Sequence, residues 1–265
     1  MAAKLRPAWR RPRKVHVQQE LLNQAGTKPK STRGGKRKGA GRPPKGPRAG
    51  VPHVAREAFK ASEPLHVVLR VLGVVGALRQ MDIYKALRAA TLTAARNGKM
   101  RIVHVSIQNT HIHLIVEAEN RLALSRGMQG FQISAAKWIN RAISKRTGSR
   151  RRASVFSDRY FAEVLRNPRQ VRSALSYVLN NWRKHREDRG AALVDKFSTG
   201  VLFDGWKERA GLGPWAVPAD YEPLIVWEAR CWLLRVGWRR HGLIPHAERP
   251  VGSAASKWRR RIVAD

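Results

Sequence analysis

Two histidines one residue apart, His111 and His113, lie in a short apolar run, and a tyrosine and an asparagine four residues apart, Tyr177 and Asn181, lie in a second one. Successive strand residues point to opposite faces, so on a strand the two imidazoles project together while Thr110, Ile112 and Leu114 turn toward a core. Two neutral imidazoles held side by side can share one divalent ion. Positions i and i+4 of a helix share a face, so a helix through residues 171–181 presents a phenol and a carboxamide in one direction. Laid across the histidine face, it would complete a site with a nucleophile, an amide oxygen and two ligand nitrogens. Each half alone also fits a plainer role. His-x-His pairs occur on surface strands and in metal-hydrolase barrels, and Tyr177 with Asn181 equally fits an amphipathic anchor beside a solvated amide.

The elements that must position these residues are legible from periodicity. The β-branched run 66–71 predicts a strand. Apolar residues Leu78, Met81, Ile83, Leu87, Ala90 and Ala94 recur at helical spacing and predict a helix over 78–96, stopped by Asn97-Gly98. Residues 100–107 and 111–117 read as a hairpin turned by Gln108, Asn109 and Thr110. A long helix over 125–145 carries Met128, Phe131, Ile133, Ala135, Trp138, Ile139 and Ile143; a weakly alternating strand follows over 155–165, and Pro168 opens a helix reaching about 185. The order β, α, β, β, α, β, α implies an α+β fold: a ferredoxin-like antiparallel sheet with two helices on one face and the tyrosine helix over the other.

The formal charge of +35, from 53 Lys and Arg against 18 Asp and Glu, gives a large attractive field for polyanions and points to nucleic acid. No apolar stretch reaches the ~18 residues of a membrane span, and no signal-peptide segment is present, so a cytoplasmic, nucleoid-associated location in a prokaryote is expected and a membrane partner is not. The single cysteine, Cys231, excludes disulfides within the chain and thiolate zinc fingers; a buried structural thiol is expected. Residues 1–60 are expected to form a disordered basic arm, with 15 Lys or Arg and one acid, Glu20, in the first 50 positions. Within it, Gly41-Arg42-Pro43-Pro44-Lys45 is similar to the core of an AT-hook, with Arg42 and Lys45 as DNA contacts, although Ala40 stands where such hooks carry a basic residue. A nonspecific phosphate-binding arm fits the same composition.

A third ordered motif, Phe156-Ser157-Asp158-Arg159-Tyr160-Phe161, lies between His111-Ile112-His113 and Tyr177-Val178-Leu179-Asn180-Asn181. Together these resemble the single-tyrosine HUH transposases, in particular the IS200-like and REP-associated tyrosine transposases. The resemblance spans roughly residues 64–185. It implies an HUH endonuclease fold for a catalytic domain over 61–188, Tyr177 as nucleophile, and His111, His113 and Asn181 as ligands of Mg²⁺ or Mn²⁺. Two places depart from the family pattern. Asn109 and Thr110 stand where Pro-Asn usually precedes the first histidine, and Asn181 is followed by Trp182 instead of proline; both flank the chemistry without removing an essential group.

The reaction implied is hairpin- or sequence-specific cleavage and strand transfer of single-stranded DNA through a 5′-phosphotyrosine, with no nucleotide cofactor. One tyrosine handles one phosphate at a time, so paired cleavages need two subunits of a homodimer or two turns of one site. Lys137, Arg141, Lys145, Arg146, Arg150, Arg151, Arg152 and Arg159 are candidate DNA contacts; a solvated helix face fits the first seven as well. Residues 189–265 form a Trp- and Arg-rich extension with six of the nine tryptophans. Leu224, Trp227, Cys231, Leu234 and Trp238 are expected to form one helical core stripe, with Arg230, Arg235, Arg239 and Arg240 on its basic face. Two rival functions remain open on sequence: a non-catalytic nucleic-acid-binding protein that keeps the fold, and a metal phosphohydrolase using water.

Overall fold

Strand β1 (Leu65–Arg70) runs through the middle of a four-stranded sheet, and its alternation is what separates the two sides of the molecule. Leu65, Val67 and Leu69 enter the larger core, while His66, Val68 and Arg70 face the opposite side. The structure is a computed structural model that describes residues 56–95, 98–188, 192–210 and 221–250. Of the two units into which the chain divides, residues 1–45 lie wholly outside the described residues, so the expected arm contacts Arg42 and Lys45 do as well.

Helix α1 (Met81–Ala95), β2 (Met100–Ile107), β3 (His111–Ala118), α2 (Arg121–Thr147), β4 (Phe161–Val164) and α3 (Pro168–Lys184) follow. The strand order β2-β3-β1-β4, antiparallel throughout, is that of the ferredoxin-like α+β layout. Helices α1 and α2 pack with Ile112, Leu114 and Val116 on one face, and α3 packs with Val103 and Ile115 on the other. A bulge between Ile102 and His104 lets two consecutive residues, Val103 and His104, sit on the α3 side.

Helix α2 starts four residues before its expected position because Asn120 accepts a hydrogen bond from the Ala123 N–H (3.0 Å), and it ends at Gly148, whose φ of 69° only glycine adopts without strain. Strand β4 is shorter than the expected 155–165. Phe156 makes a lone bridge to Val71, after which Asp158 turns the chain by accepting from the Arg159 N–H (2.7 Å), so pairing with β1 resumes only at Phe161. Helix α3 begins as expected, with Asn167 as cap and Pro168 in the first turn.

The extension corrects the expected single helix. Residues 221–230 are not helical; their N–H groups go elsewhere, Trp227 to the Ile102 carbonyl (2.8 Å) and Arg230 and Cys231 to the buried Glu117 carboxylate (2.9 and 2.8 Å). Among the described residues of the extension only Trp232–Arg235 forms an α-turn, followed by the 3₁₀ segment Gly237–His241. Consequently the stripe divides. Leu224 joins the core beneath α1 and α2, whereas Leu234 and Trp238, with Trp206 and Phe203, cover the outer side of α3. Cys231 is half-buried, and burial pushes its thiol up to about 12. Trp232 is largely exposed, and Trp215 and Trp258 lie outside the described residues.

Candidate active site

Helix α3 is sandwiched between the sheet and the extension, so ten of its residues are buried, including Tyr177 at 5% exposure and Asn181 at 0%. The chain thereby brings all four expected residues onto one sheet face. The His111 and His113 ring centroids are 4.7 Å apart, and Tyr177 meets His113 edge-on at 5.3 Å. Asn181 lies one helical turn beyond Tyr177, and neither its Oδ1 nor its Nδ2 has a hydrogen-bond partner in the protein; the same is true of His113 Nε2. Buried polar atoms normally find partners. Two imidazoles and an amide oxygen match the donor chemistry of a divalent-cation site, and the unpartnered atoms of His113 and Asn181 are its natural inward-facing members. Among the described residues no group of three His, Cys, Asp or Glu side chains has metal-binding geometry, so a cation here would draw on the amide and on substrate oxygens.

Protonation favours the same chemistry. Burial holds His113 well below its usual 6.5, with the neighbouring His111, His66, His185 and Lys184 adding to the effect, and burial alone brings His66 down to about 4. Both rings are therefore neutral at pH 7 and keep a lone pair.

Three residues of this site were not anticipated from sequence. His66 contacts His113 (Nε2···Nδ1 3.0 Å) and approaches Tyr177 edge-on at 5.8 Å. Lys184 places its ammonium 5.0 Å from the Tyr177 ring, and the His185 ring lies 5.4 Å from that of His111. The signals were present: His66 shares a β1 face with Val68, which pairs with His113, and His185 is i+4 from Asn181. Trp182 is what lets the helix reach the second pair. A proline there would lack the N–H and clash with the preceding turn, whereas tryptophan lets α3 continue to Lys184 and carry both side chains to the site.

The other departure has a similar local solution. In the turn before His111, Asn109 donates to Glu187 Oε1 (2.7 Å), and the Asn109 and Thr110 carbonyls accept from the Leu78 and Val71 N–H groups (3.0 Å each). Glu187 pairs with Arg79 (3.2 Å), which also grips the Ile107 carbonyl (2.9 Å) and both oxygens of the buried Asp195 (2.8 Å each). Thus the histidine turn is tied to the end of α3 and to the extension without proline.

The family model described as "transposase IS200 like" matches residues 63–181, which contain all of these elements from β1 through Asn181. This segment belongs to the IS200-like transposase family. The function class of the domain is accordingly that of a transposase. No curated protein matches the chain significantly in sequence. Among solved structures, one described as a REP-associated tyrosine transposase bound to a REP hairpin aligns with 66% of this chain and 99% of its own, at 16% identity and a TM-score of 0.47. Another, a candidate transposase from Deinococcus radiodurans R1, aligns with 54% of this chain and 98% of its own, at 12% identity and a TM-score of 0.33.

The expected DNA contacts of the IS200-like domain are not gathered at this site. Lys137, Arg141, Lys145 and Arg146 belong to α2, in the helix layer on the opposite side of the sheet. Arg141 stacks on Trp138 (5.3 Å), Arg146 pairs with Gln80 and Asp82, and Arg151 bonds Asn140 and the Ser154 carbonyl. Arg150, Arg151 and Arg152 line a groove with Lys137 and Arg141. Arg159 follows the Asp158 turn at the start of β4. No helix among the described residues is long and apolar enough to cross a membrane.

Proposed function

We propose that this domain cleaves and rejoins single-stranded DNA beside a folded hairpin, with Tyr177 as nucleophile. The observation that carries the reading is the juxtaposition of the Tyr177 ring with His113, 5.3 Å away, beside a fully buried Asn181 whose amide atoms have no partner in the protein. His111, His113 and Asn181 would hold Mg²⁺ or Mn²⁺, which when bound would neutralise and polarise the scissile phosphate.

Tyr177 Oη attacks phosphorus and the P–O3′ bond breaks; the phenolic proton passes to solvent, and the departing O3′ takes one proton up from solvent and leaves as a 3′-hydroxyl. Lys184, beside the ring, supplies positive charge where negative charge collects during attack. The resulting 5′-phosphotyrosine conserves the ester, so a 3′-hydroxyl can attack it and restore a phosphodiester without a nucleotide cofactor. Burial of Tyr177 beside His66 and His113 shields that ester from water, which favours transfer over hydrolysis. The basic groove on α2 and the high net charge fit a polyanionic partner extending beyond the site.

Purified protein incubated with a labelled hairpin oligonucleotide and Mn²⁺ should yield a denaturation-resistant protein–DNA adduct. Tight binding without scission would instead favour a non-catalytic role, and scission without an adduct would favour a hydrolase.

A further inference from the structure

His66 is buried at 1% exposure in the centre of the sheet and takes no part in the chemistry above. It lies diagonally across the β1–β3 pair from His113, since Val68 is the residue opposite His113 and His66 is opposite Ile115. The nitrogens Nε2 of His66 and Nδ1 of His113 are 3.0 Å apart, and the ring planes differ by only 25° with centroids 5.1 Å apart. That centroid separation is close to the N···N distance plus the two ring radii. The rings therefore lie side by side nearly in one plane, the arrangement of an in-plane N–H···N bond, and not face to face.

One proton occupies that bond, and the rest of His113 determines which ring carries it. If His113 held its proton on Nε2, a buried N–H would point into a space where the protein supplies no acceptor. With the proton on Nδ1, donated to His66 Nε2, the His113 Nε2 lone pair is directed into the site. We propose that His66 is a positioning residue that fixes the tautomer and ring orientation of His113 so that Nε2 stays available as a metal ligand. This rests on the metal reading given above. Ligand histidines commonly donate their second N–H to such a partner, and losing it weakens metal binding by about 10- to 100-fold. Here the acceptor is a neutral imidazole from the adjacent strand, and the same ring supports the edge of Tyr177 at 5.8 Å, so ligand and nucleophile share one support.

The test compares the full-length wild type with His66→Leu and His66→Gln, since glutamine can present an acceptor oxygen near the position of Nε2. Two readouts are needed. The ¹⁵N spectrum of the histidine rings in EDTA reports the tautomer of His113 without any metal, and calorimetric titration with Mn²⁺ alone reports affinity. The expected result is an Nδ1–H tautomer of His113 in the wild type and in His66→Gln, lost in His66→Leu, together with Mn²⁺ affinity about 10- to 100-fold weaker in His66→Leu and close to wild type in His66→Gln. Wild type that binds Mn²⁺ with His113 as the Nε2–H tautomer, or His66→Leu that binds as tightly as wild type, overturns the role of His66 while leaving the metal reading intact. A wild type that does not bind Mn²⁺ overturns both. If His66→Leu fails to fold, the wild-type tautomer and the rescue by His66→Gln still decide the matter.

Discussion

Replacing Asn181 with leucine should make the metal-free protein more stable and the enzyme inactive. Asn181 is fully buried, and its Oδ1 and Nδ2 have no partner within the protein, so folding removes the carboxamide from water without a compensating bond to a protein group. Relief of that desolvation contributes about 1–3 kcal/mol. Leucine is of similar size but differently branched, and fitting it offsets part of the gain, to a net rise of about 1–2 kcal/mol. In a folded region of this size that corresponds to roughly 2–4 °C in Tm per kcal/mol. The measurement is thermal or urea unfolding in EDTA, repeated in Mn²⁺. At about 100 times its Kd a ligand stabilises the native state by about 2.7 kcal/mol, so wild type should overtake Asn181→Leu in Mn²⁺ while the variant gains little. A variant less stable than wild type in EDTA by more than about 1 kcal/mol, or one stabilised equally by Mn²⁺, would refute the reasoning.

Arg79→Met should destabilise by about 3–5 kcal/mol in urea unfolding, because it leaves the buried Asp195 and the nearby Glu187 without their shared cation; a loss below ~1 kcal/mol would show that the clamp is not structural. Gly127→Ala on α2 should lower Tm, since a Cβ there would lie 2.7 Å from Met100 Cβ and 2.5 Å from its Sδ, an overpacking that costs about 1–3 kcal/mol, and an unchanged Tm would count against the close approach of α2 to β2. Glu248 accepts from both Arg172 nitrogens (2.6 and 2.7 Å) and from Ser176 (2.6 Å), and the Arg172 hydrogen bonds hold its carboxyl below the ordinary 4.5. A depressed carboxyl contributes stability above its unfolded value and loses it as pH falls through the folded one, so Glu248→Gln should flatten the decline of stability below pH 4.5; a variant with the wild-type acid profile contradicts this.

The fold was legible because its main signals are periodic. The β-branched run 66–71, the two-residue period of 111–117 and the helical spacing in 171–181 place His113, Tyr177 and Asn181 without any knowledge of contacts. Side-chain capping set the start of α2, and the bend at Asp158 shortened β4, local choices that hydrophobic spacing does not report. The extension misled periodicity more deeply. Leu224, Leu234 and Trp238 do fall at helical intervals, but Glu117 and the bulge carbonyl of Ile102 capture the N–H groups that a helix would have used. His66 was legible only as a strand residue. Its role depends on which strand lies beside it, and that pairing is non-local. Lys184 and His185 fall within the expected reach of α3, but which side chains of its last turn meet the Tyr177 and His111 rings is again a non-local matter.

The central claim is that Tyr177 forms a covalent bond to the 5′ end of a cleaved strand. Hairpin oligonucleotides labelled at either the 5′ or the 3′ terminus, incubated with protein and Mn²⁺ and followed by proteolysis and mass spectrometry, test it most directly. The account predicts that only the segment 3′ of the cleavage point stays attached, through its 5′ phosphate, to the peptide containing Tyr177, and that Tyr177→Phe abolishes the adduct while still binding the hairpin. Attachment of the 5′ segment, attachment at another residue, or an undiminished adduct in Tyr177→Phe would contradict it.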